Sequence, residues 1–373
     1  MQRRTVEEEY AFLDYEKPTP EGNIVKPIPR NLFIQHDRCV ETRWEAMYGR
    51  GYVTPASLWF IRNHGPTPVI DAKTWKLQVS GSGVDNPLTF SYDDILRMPS
   101  VTYTRFIECA GNGRIFFKEY QGEMPKGRPW RFGSYGLAEW TGVPLYEILE
   151  RAKIKPSAVD VMPTGLDKSG VERPMPVSKA MEPDTILAYA MNGDVLPLDH
   201  GYPARVVVPG WVGINSIKWV GQITVSEEPI YVERNTEEYV LAGPGFDPVP
   251  PALGPVLTSV PVRSAIALPW PGKIAAGQIT IRGFAWSGYG HITRVEYSLD
   301  DGITWADANI LQPNIRLAGC RWEFPWAASQ GEHTITIRAT DSAGNTQPLP
   351  DSMRWNERGY EFWAAVPHPV TVH

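Results

Sequence analysis

Phe106-Ile107-Glu108-Cys109-Ala110-Gly111-Asn112-Gly113-Arg114 is the stretch from which the chain can be organised. Residues 101–107 form an apolar, β-prone run that delivers one cysteine into a Gly-Asn-Gly turn. Gly and Asn tolerate positive φ, so such a segment can reverse sharply and present a side chain at a strand end. Ala110 and Gly111 leave little bulk beside the sulfur, so a large group could approach it. Arg114 follows within reach and favours thiolate over thiol. The residues alone mark Cys109 as a candidate nucleophile or metal ligand, although a buried, inert cysteine is the commoner fate.

Upstream, Leu58-Trp59-Phe60-Ile61-Arg62-Asn63-His64 is an apolar run feeding a polar cluster that Gly65-Pro66 stops. Arg62, Asn63 and His64 are therefore expected at a strand end or in a loop. Residues 75–81 alternate as a half-buried strand does. Residues 92–98 read as one or two helical turns ended by Pro99, and 145–153 as a helix behind Pro144. Downstream, residues 159–166 and 185–191 read as strands, the second turned by Asn192-Gly193. A second dense stretch, from Asp199 to Gly213, holds three consecutive valines bounded by Pro209-Gly210. That is a buried strand whose ends carry His200, Arg205 and glycines, as ligand-holding loops do. Residues 217–220 and 222–225 are expected to continue as strands.

At 373 residues the chain is too long for one ordinary core, and two domains are expected. Abundant Pro (35), Gly (33) and Trp (14) favour loops and short strands over long helices. A net charge of −6 gives no footprint for nucleic acid, and no run is apolar enough to insert in a membrane. The three cysteines, Cys39, Cys109 and Cys320, form neither a disulfide framework nor a structural zinc pattern. Two N-terminal arginines lack an apolar segment behind them, so no signal peptide is read. A cytoplasmic location follows for the chain as given, with a periplasmic one as the alternative if a leader has been removed.

Residues 1–50, charged and punctuated by proline, read as an extended arm over the body. Residues 51–243 form the first domain, 244–255 a Gly/Pro-rich linker, and 256–373 a second domain of different character. There, residues 279–286, 292–298, 304–308, 321–326 and 333–340 are short strands at regular spacing, with an Asp-Gly hairpin turn at Asp301-Gly302. The pattern is an antiparallel sandwich of the immunoglobulin kind. The fold class is α+β, a mixed domain followed by an all-β one.

Four motifs in order carry a resemblance to the sulfite oxidase family of molybdenum enzymes. They are Phe60-Ile61-Arg62-Asn63-His64, Cys109 to Arg114, Ala188-Tyr189-Ala190-Met191-Asn192-Gly193, and the run from His200 to Gly210. The resemblance runs from about residue 54 to near the C-terminus and is similar in flavour to bacterial sulfite dehydrogenases, including the sulfane dehydrogenase branch. It implies a molybdopterin-binding domain followed by a dimerisation sandwich, and no heme module in this chain.

By that resemblance, Cys109 is the protein ligand to molybdenum held by a pyranopterin dithiolene, chemistry that suits a soft thiolate. Phe60, Arg62, Asn63, His64, Asp167, His200, Arg205 and Lys218 fall at the family's cofactor-binding positions. The resemblance places Arg62, Arg114 and Arg358 around the substrate anion, Trp130 on the pocket wall, and Tyr239 beside the metal. Read alone, Arg205 and Lys218 would be an ordinary surface pair, and Trp130 and Tyr239 core packing. Gly113 stands where many members of the family have the first of two arginines, Arg114 keeping the second, and the missing charge is expected to loosen anion binding or admit a bulkier substrate.

The activity implied is oxidation of sulfite, or another small sulfur oxyanion, to sulfate by oxygen-atom transfer. Electrons then pass singly to an external acceptor such as a c-type cytochrome, and the chain pairs as a homodimer. The alternatives are a sulfane dehydrogenase acting on protein-bound sulfur, a nitrate reductase, a methionine-sulfoxide reductase relative, and a cofactor-free binding or assembly module of the same fold.

Overall fold

The computed structural model describes residues 24–373; residues 1–23, the first part of the expected arm, lie outside the described residues. The remainder of that segment is more than an arm. Phe33–His36 and Cys39–Thr42 pair as an antiparallel hairpin, and Cys39–Thr42 pairs in turn with Ile61–Arg62. Phe33, Cys39, Val40 and Glu41 are buried in it. Asp37 takes the turn at φ 58, a left-handed conformation that Asp tolerates better than most residues. Neither strand alternates buried with exposed residues, so the hairpin carries no period-2 signal in the sequence.

Two five-stranded sheets follow. The first places Val101–Glu108 beside Tyr135–Pro144, which pairs with Ile186–Met191; Asp194–Val195 and Arg205–Val207 both pair with Ile186–Met191. The second has the order Leu88–Ser91, Lys76–Ser80, Val220–Ser226, Asp160–Gly165, Met175–Pro176. Leu77 and Val79 are fully buried while Lys76 and Gln78 are exposed, as alternation requires. Leu145–Arg151 is helical with Leu145, Ile148 and Leu149 buried, the i, i+3, i+4 stripe behind Pro144.

Residues 217–219 depart from the expected strand. Only Val220–Ser226 is extended, and Trp219 sits at φ 54, so the chain kinks just after Lys218. The short strand expected at 304–308 shrinks to Ala306–Asp307. A helix, Ile115–Gln121, follows the cysteine turn directly and ends on left-handed Gly122.

Beyond residue 262 two sheets share one core. One has the order Arg263–Ile266, Gly277–Trp286, Gly319–Ala328, Asn309–Ile315; the other Gly272–Ile274, His368–Val372, Gly331–Asp341, Ile292–Ser298, Ala306–Asp307. Ile281, Trp322 and Phe324 from the first meet Val295, Ile335 and Val370 from the second. The two parts of the molecule are not joined by a linker alone. A common core holds Phe106, Phe116 and Phe132 together with Trp286 and Phe362.

Candidate active site

The cysteine turn is held from below by a buried charge network. Glu108, the last strand residue, pairs with Arg263 at 2.8 Å and accepts from Trp286 Nε1 and Asn112 Nδ2, each at 2.7 Å. Arg263 also donates to the Asn112 carbonyl at 2.9 Å, and Asn112 Oδ1 accepts from Ser134 Oγ at 2.8 Å. A buried carboxylate needs such partners to remain charged. Burial pushes the Glu108 carboxyl up and Arg263 opposes that shift.

Above this base Cys109, half-buried, sits between two adjoining cavities. Burial pushes its thiol up, against Arg62 and Arg114, which pull it down. The arginine therefore acts in the direction expected from sequence, but burial outweighs it. Coordination to a metal ion would remove the proton outright.

The first cavity, about 700 Å³ of space with its open mouth included, is lined by Phe60, Arg62, Asn63, His64, Asp167, His200, Arg205 and Lys218, together with Cys109. Their placement follows from hydrogen bonds between distant segments. Lys218 Nζ donates to Asn63 Oδ1 and, at 2.8 Å, to the Asp199 carbonyl. Asn63 Nδ2 reaches Thr67 Oγ1 at 3.0 Å, and Thr67 Oγ1 donates to the Asp199 carboxylate at 2.6 Å. Arg205 holds the His200 carbonyl at 3.0 Å and the Ser216 carbonyl at 2.9 Å. It is 4% exposed, so the ordinary surface pair that its sequence position suggests does not describe it.

Several groups in this cavity lack the partner that their burial demands. Asp167 Oδ2, His200 Nε2 and Arg205 Nε are buried without a hydrogen-bond partner. Neither Arg205 nor Lys218 forms an ion pair among the described residues, and burial pushes them down to about 9 and about 7. Buried polar atoms are normally satisfied, so this set suits a ligand with polar edges for Asp167 and His200 and an anionic group for Arg205 and Lys218. A pterin with a phosphate tail has the donors, acceptors and charge to fill them. The residues present fit that group.

The second cavity, of about 610 Å³, shares Arg62, Cys109 and Tyr239 with the first and adds Arg114, Trp130 and Arg358. Arg62 Nη1 donates to the Asn63 carbonyl at 2.5 Å, and its Nη2 lies 3.0 Å from His64 Nε2. The same His64 nitrogen is 3.1 Å from the Tyr239 hydroxyl. Burial, with Arg62 beside it, pushes His64 down to about 2, so its imidazole is neutral. Burial pushes the Tyr239 hydroxyl up, so it keeps its proton. Arg114 is fixed by Nε to the Arg358 carbonyl at 2.6 Å and by Nη1 to the Arg128 carbonyl at 2.9 Å. Three glycines make room for it: a Cβ at Gly111, Gly127 or Gly359 would lie within 2.4 to 2.6 Å of an Arg114 side-chain atom. Trp130 is 1% exposed and meets the edge of His36 at 5.1 Å.

Position 113 does not line either cavity. Gly113 has φ +85, and a Cβ there would meet the Phe362 carbonyl at 2.9 Å and Arg263 Nη1 at 3.2 Å. The charge missing at Gly113 is thus not missing from the anion cavity, and the expected loosening has no structural basis. Sequence reasoning passed over Lys126, Arg128, Tyr360 and Glu238, which also line that cavity, the last of them paired with Arg234 at 3.3 Å. Lys126-Gly127-Arg128, two cations directly before Pro129-Trp130, was the available signal.

Residues 64–232 match the oxidoreductase molybdopterin binding domain, and residues 255–368 the Mo-co oxidoreductase dimerisation domain. A sulfite oxidase of Arabidopsis thaliana is 32% identical over 338 residues, which cover 83% of this chain and 85% of that protein. The chain belongs to the sulfite oxidase family. Mouse mitochondrial sulfite oxidase is 36% identical over 327 residues, and this chain spans about 60% of its length. Among solved structures, the sulfane dehydrogenase SoxCD of Paracoccus pantotrophus superposes with a TM-score of 0.80 at 29% identity, covering 94% of this chain and 92% of that one. The family's cofactor is molybdenum carried by molybdopterin, and the first cavity is where this sulfite oxidase family chain has the donors for it.

Proposed function

We propose that the protein oxidises sulfite to sulfate at a molybdopterin centre held by Cys109 and passes the two electrons singly to an external acceptor such as a c-type cytochrome. The observation that carries this reading is the second cavity: arginines whose charges face no buried carboxylate, opening onto the one cysteine shared with the cofactor cleft. Arg358 makes no side-chain hydrogen bond or ion pair among the described residues, and Arg114 is held only by carbonyls. Such a cluster is costly without an anion and binds a dianion well.

Molybdopterin, when bound, supplies the two-electron oxidation and the oxygen-atom transfer. The chain's own residues do the rest. Phe60, Asn63, His64, Asp167, His200, Arg205 and Lys218 hold the pterin and its phosphate, with the cationic pair best placed for the phosphate. Arg62, Arg114 and Arg358 bind sulfite and stabilise the charge redistributed as sulfate forms, as oxyanion-hole donors do. Neutral His64 leaves the Tyr239 hydroxyl protonated and oriented, and Trp130 closes one wall against water. The sandwich domain is the proposed homodimer contact.

Molybdenum-loaded protein should release one sulfate for every two one-electron acceptors reduced. Sulfite-independent reduction, or none, would remove this reading. The SoxCD likeness over nearly the whole chain, with a cavity larger than sulfite needs, favours one second reading: oxidation of protein-bound sulfane sulfur. Turnover of a persulfide-bearing carrier protein without turnover of free sulfite would select it.

A further inference from the structure

The anion cavity contains an arginine that the family resemblance did not assign. Arg128 lies on the loop of residues 125–129, whose shape is set by Arg114. Arg114 Nη1 holds the Arg128 carbonyl at 2.9 Å, and Gly127, at φ +123, leaves the space that the Arg114 guanidinium occupies. The Arg128 side chain is then caught by the N-terminal hairpin. Its Nε donates to the His36 carbonyl at 3.1 Å, and its Nη2 meets the Asp37 carboxylate at 3.2 Å. Nη1 has no protein partner among the described residues.

Asp37 does little to cancel this charge. Its side chain is 63% exposed against 30% for Arg128, so water screens the pair on the carboxylate's side. The arginine is held in place by the turn, its Nη1 is left without a protein partner among the described residues, and the residue lines the cavity. The same turn presses His36 against Trp130, so one short hairpin sets both a cation and the wall beside it.

We propose that Arg128 is an anion-binding residue that biases the cavity towards doubly charged oxyanions. The physical basis is Coulombic: a cation at fixed distance contributes twice as much to a dianion as to a monoanion. Removing it therefore costs the dianion the square of the factor lost by the monoanion. The proposal rests on the reading that this cavity receives the anionic substrate.

The test uses molybdenum-loaded full chain as wild type, Arg128→Ala and Arg128→Lys, with sulfate and nitrate as non-reacting probes in isothermal titration calorimetry. In Arg128→Ala the dissociation constant should rise about tenfold for sulfate and about threefold for nitrate. Arg128→Lys should recover most of the sulfate affinity, since charge rather than fork geometry carries the effect. KM for sulfite should follow the sulfate constant, with kcat held within about twofold. An unchanged sulfate constant, equal losses for both anions, or a loss that Lys does not rescue would overturn the proposal. If the sulfate pattern holds while sulfite is not turned over, Arg128 keeps its role and the sulfite reading fails instead.

Discussion

Arg114 Nε donates to the Arg358 carbonyl at 2.6 Å, joining two residues 244 positions apart. One follows the cysteine turn of the first domain; the other belongs to the segment that returns from the sandwich. The anion cavity is therefore built by both domains, and neither presents it alone. The Arg114 guanidinium also lies over the Tyr360 ring at 5.4 Å, and Tyr360 stacks on Tyr239 at 5.5 Å.

Gly359 is the narrowest part of that junction. Its φ of +59 already disfavours any side chain, and a Cβ would lie 2.6 Å from Arg114 Cγ and 2.9 Å from Pro125. Gly359→Ala should displace Arg114 and lower kcat/KM for sulfite by roughly 10- to 100-fold, the usual cost of about 1 Å of misplacement. Steady-state kinetics at unchanged molybdenum content measure it; wild-type kinetics would show that Arg114 can shift without loss.

Glu108→Gln would leave Arg263 charged and buried without its counter-ion. Breaking such a pair costs about 3–5 kcal/mol. A lower Tm should be accompanied by reduced molybdenum content, because Gln offers one oxygen where Asn112 and Trp286 each donate to a separate carboxylate oxygen, and the cysteine turn is disturbed with them. Thermal unfolding and metal analysis of the same preparation check both effects.

His368 provides a pH prediction outside the site. Burial pushes it down to about 4, and its ring nitrogen lies 2.8 Å from the Pro269 carbonyl. The folded state resists protonation, so the unfolded state binds more protons between about pH 6.5 and 4. Stability contributed by the neutral ring is fully present above the unfolded value and is lost as pH falls through that window. The whole shift corresponds to about 3 kcal/mol. Stability against unfolding should fall progressively from pH 7 to 4, and His368→Gln should flatten part of the decline.

Local chemistry made much of the fold legible. The strand Val101–Glu108, the helix Leu145–Arg151 and the main sandwich strands follow from alternation, helical spacing and turn residues. The Asp37 hairpin was not legible, because its reason for being buried lies in partners such as Arg131 and Gly133, whose amides Glu41 accepts. At the site, Cys109 stood out on its own, while Arg358 and Tyr239 could be brought near it only by the family resemblance. Arg128, Tyr360 and the Glu108–Arg263 pair depend on contacts spanning 90 residues or more, which periodicity does not encode. The strand expected over 217–220 does not hold at Lys218, because apolar neighbours concealed the kink at Trp219.

The most direct test is sulfite-dependent reduction of cytochrome c and of ferricyanide by molybdenum-loaded protein, wild type against Cys109→Ser. Turnover in the wild type with both acceptors, sulfate as product, and its loss in the variant are the expected results. A wild type fully loaded with molybdenum that leaves sulfite untouched would contradict the sulfite reading.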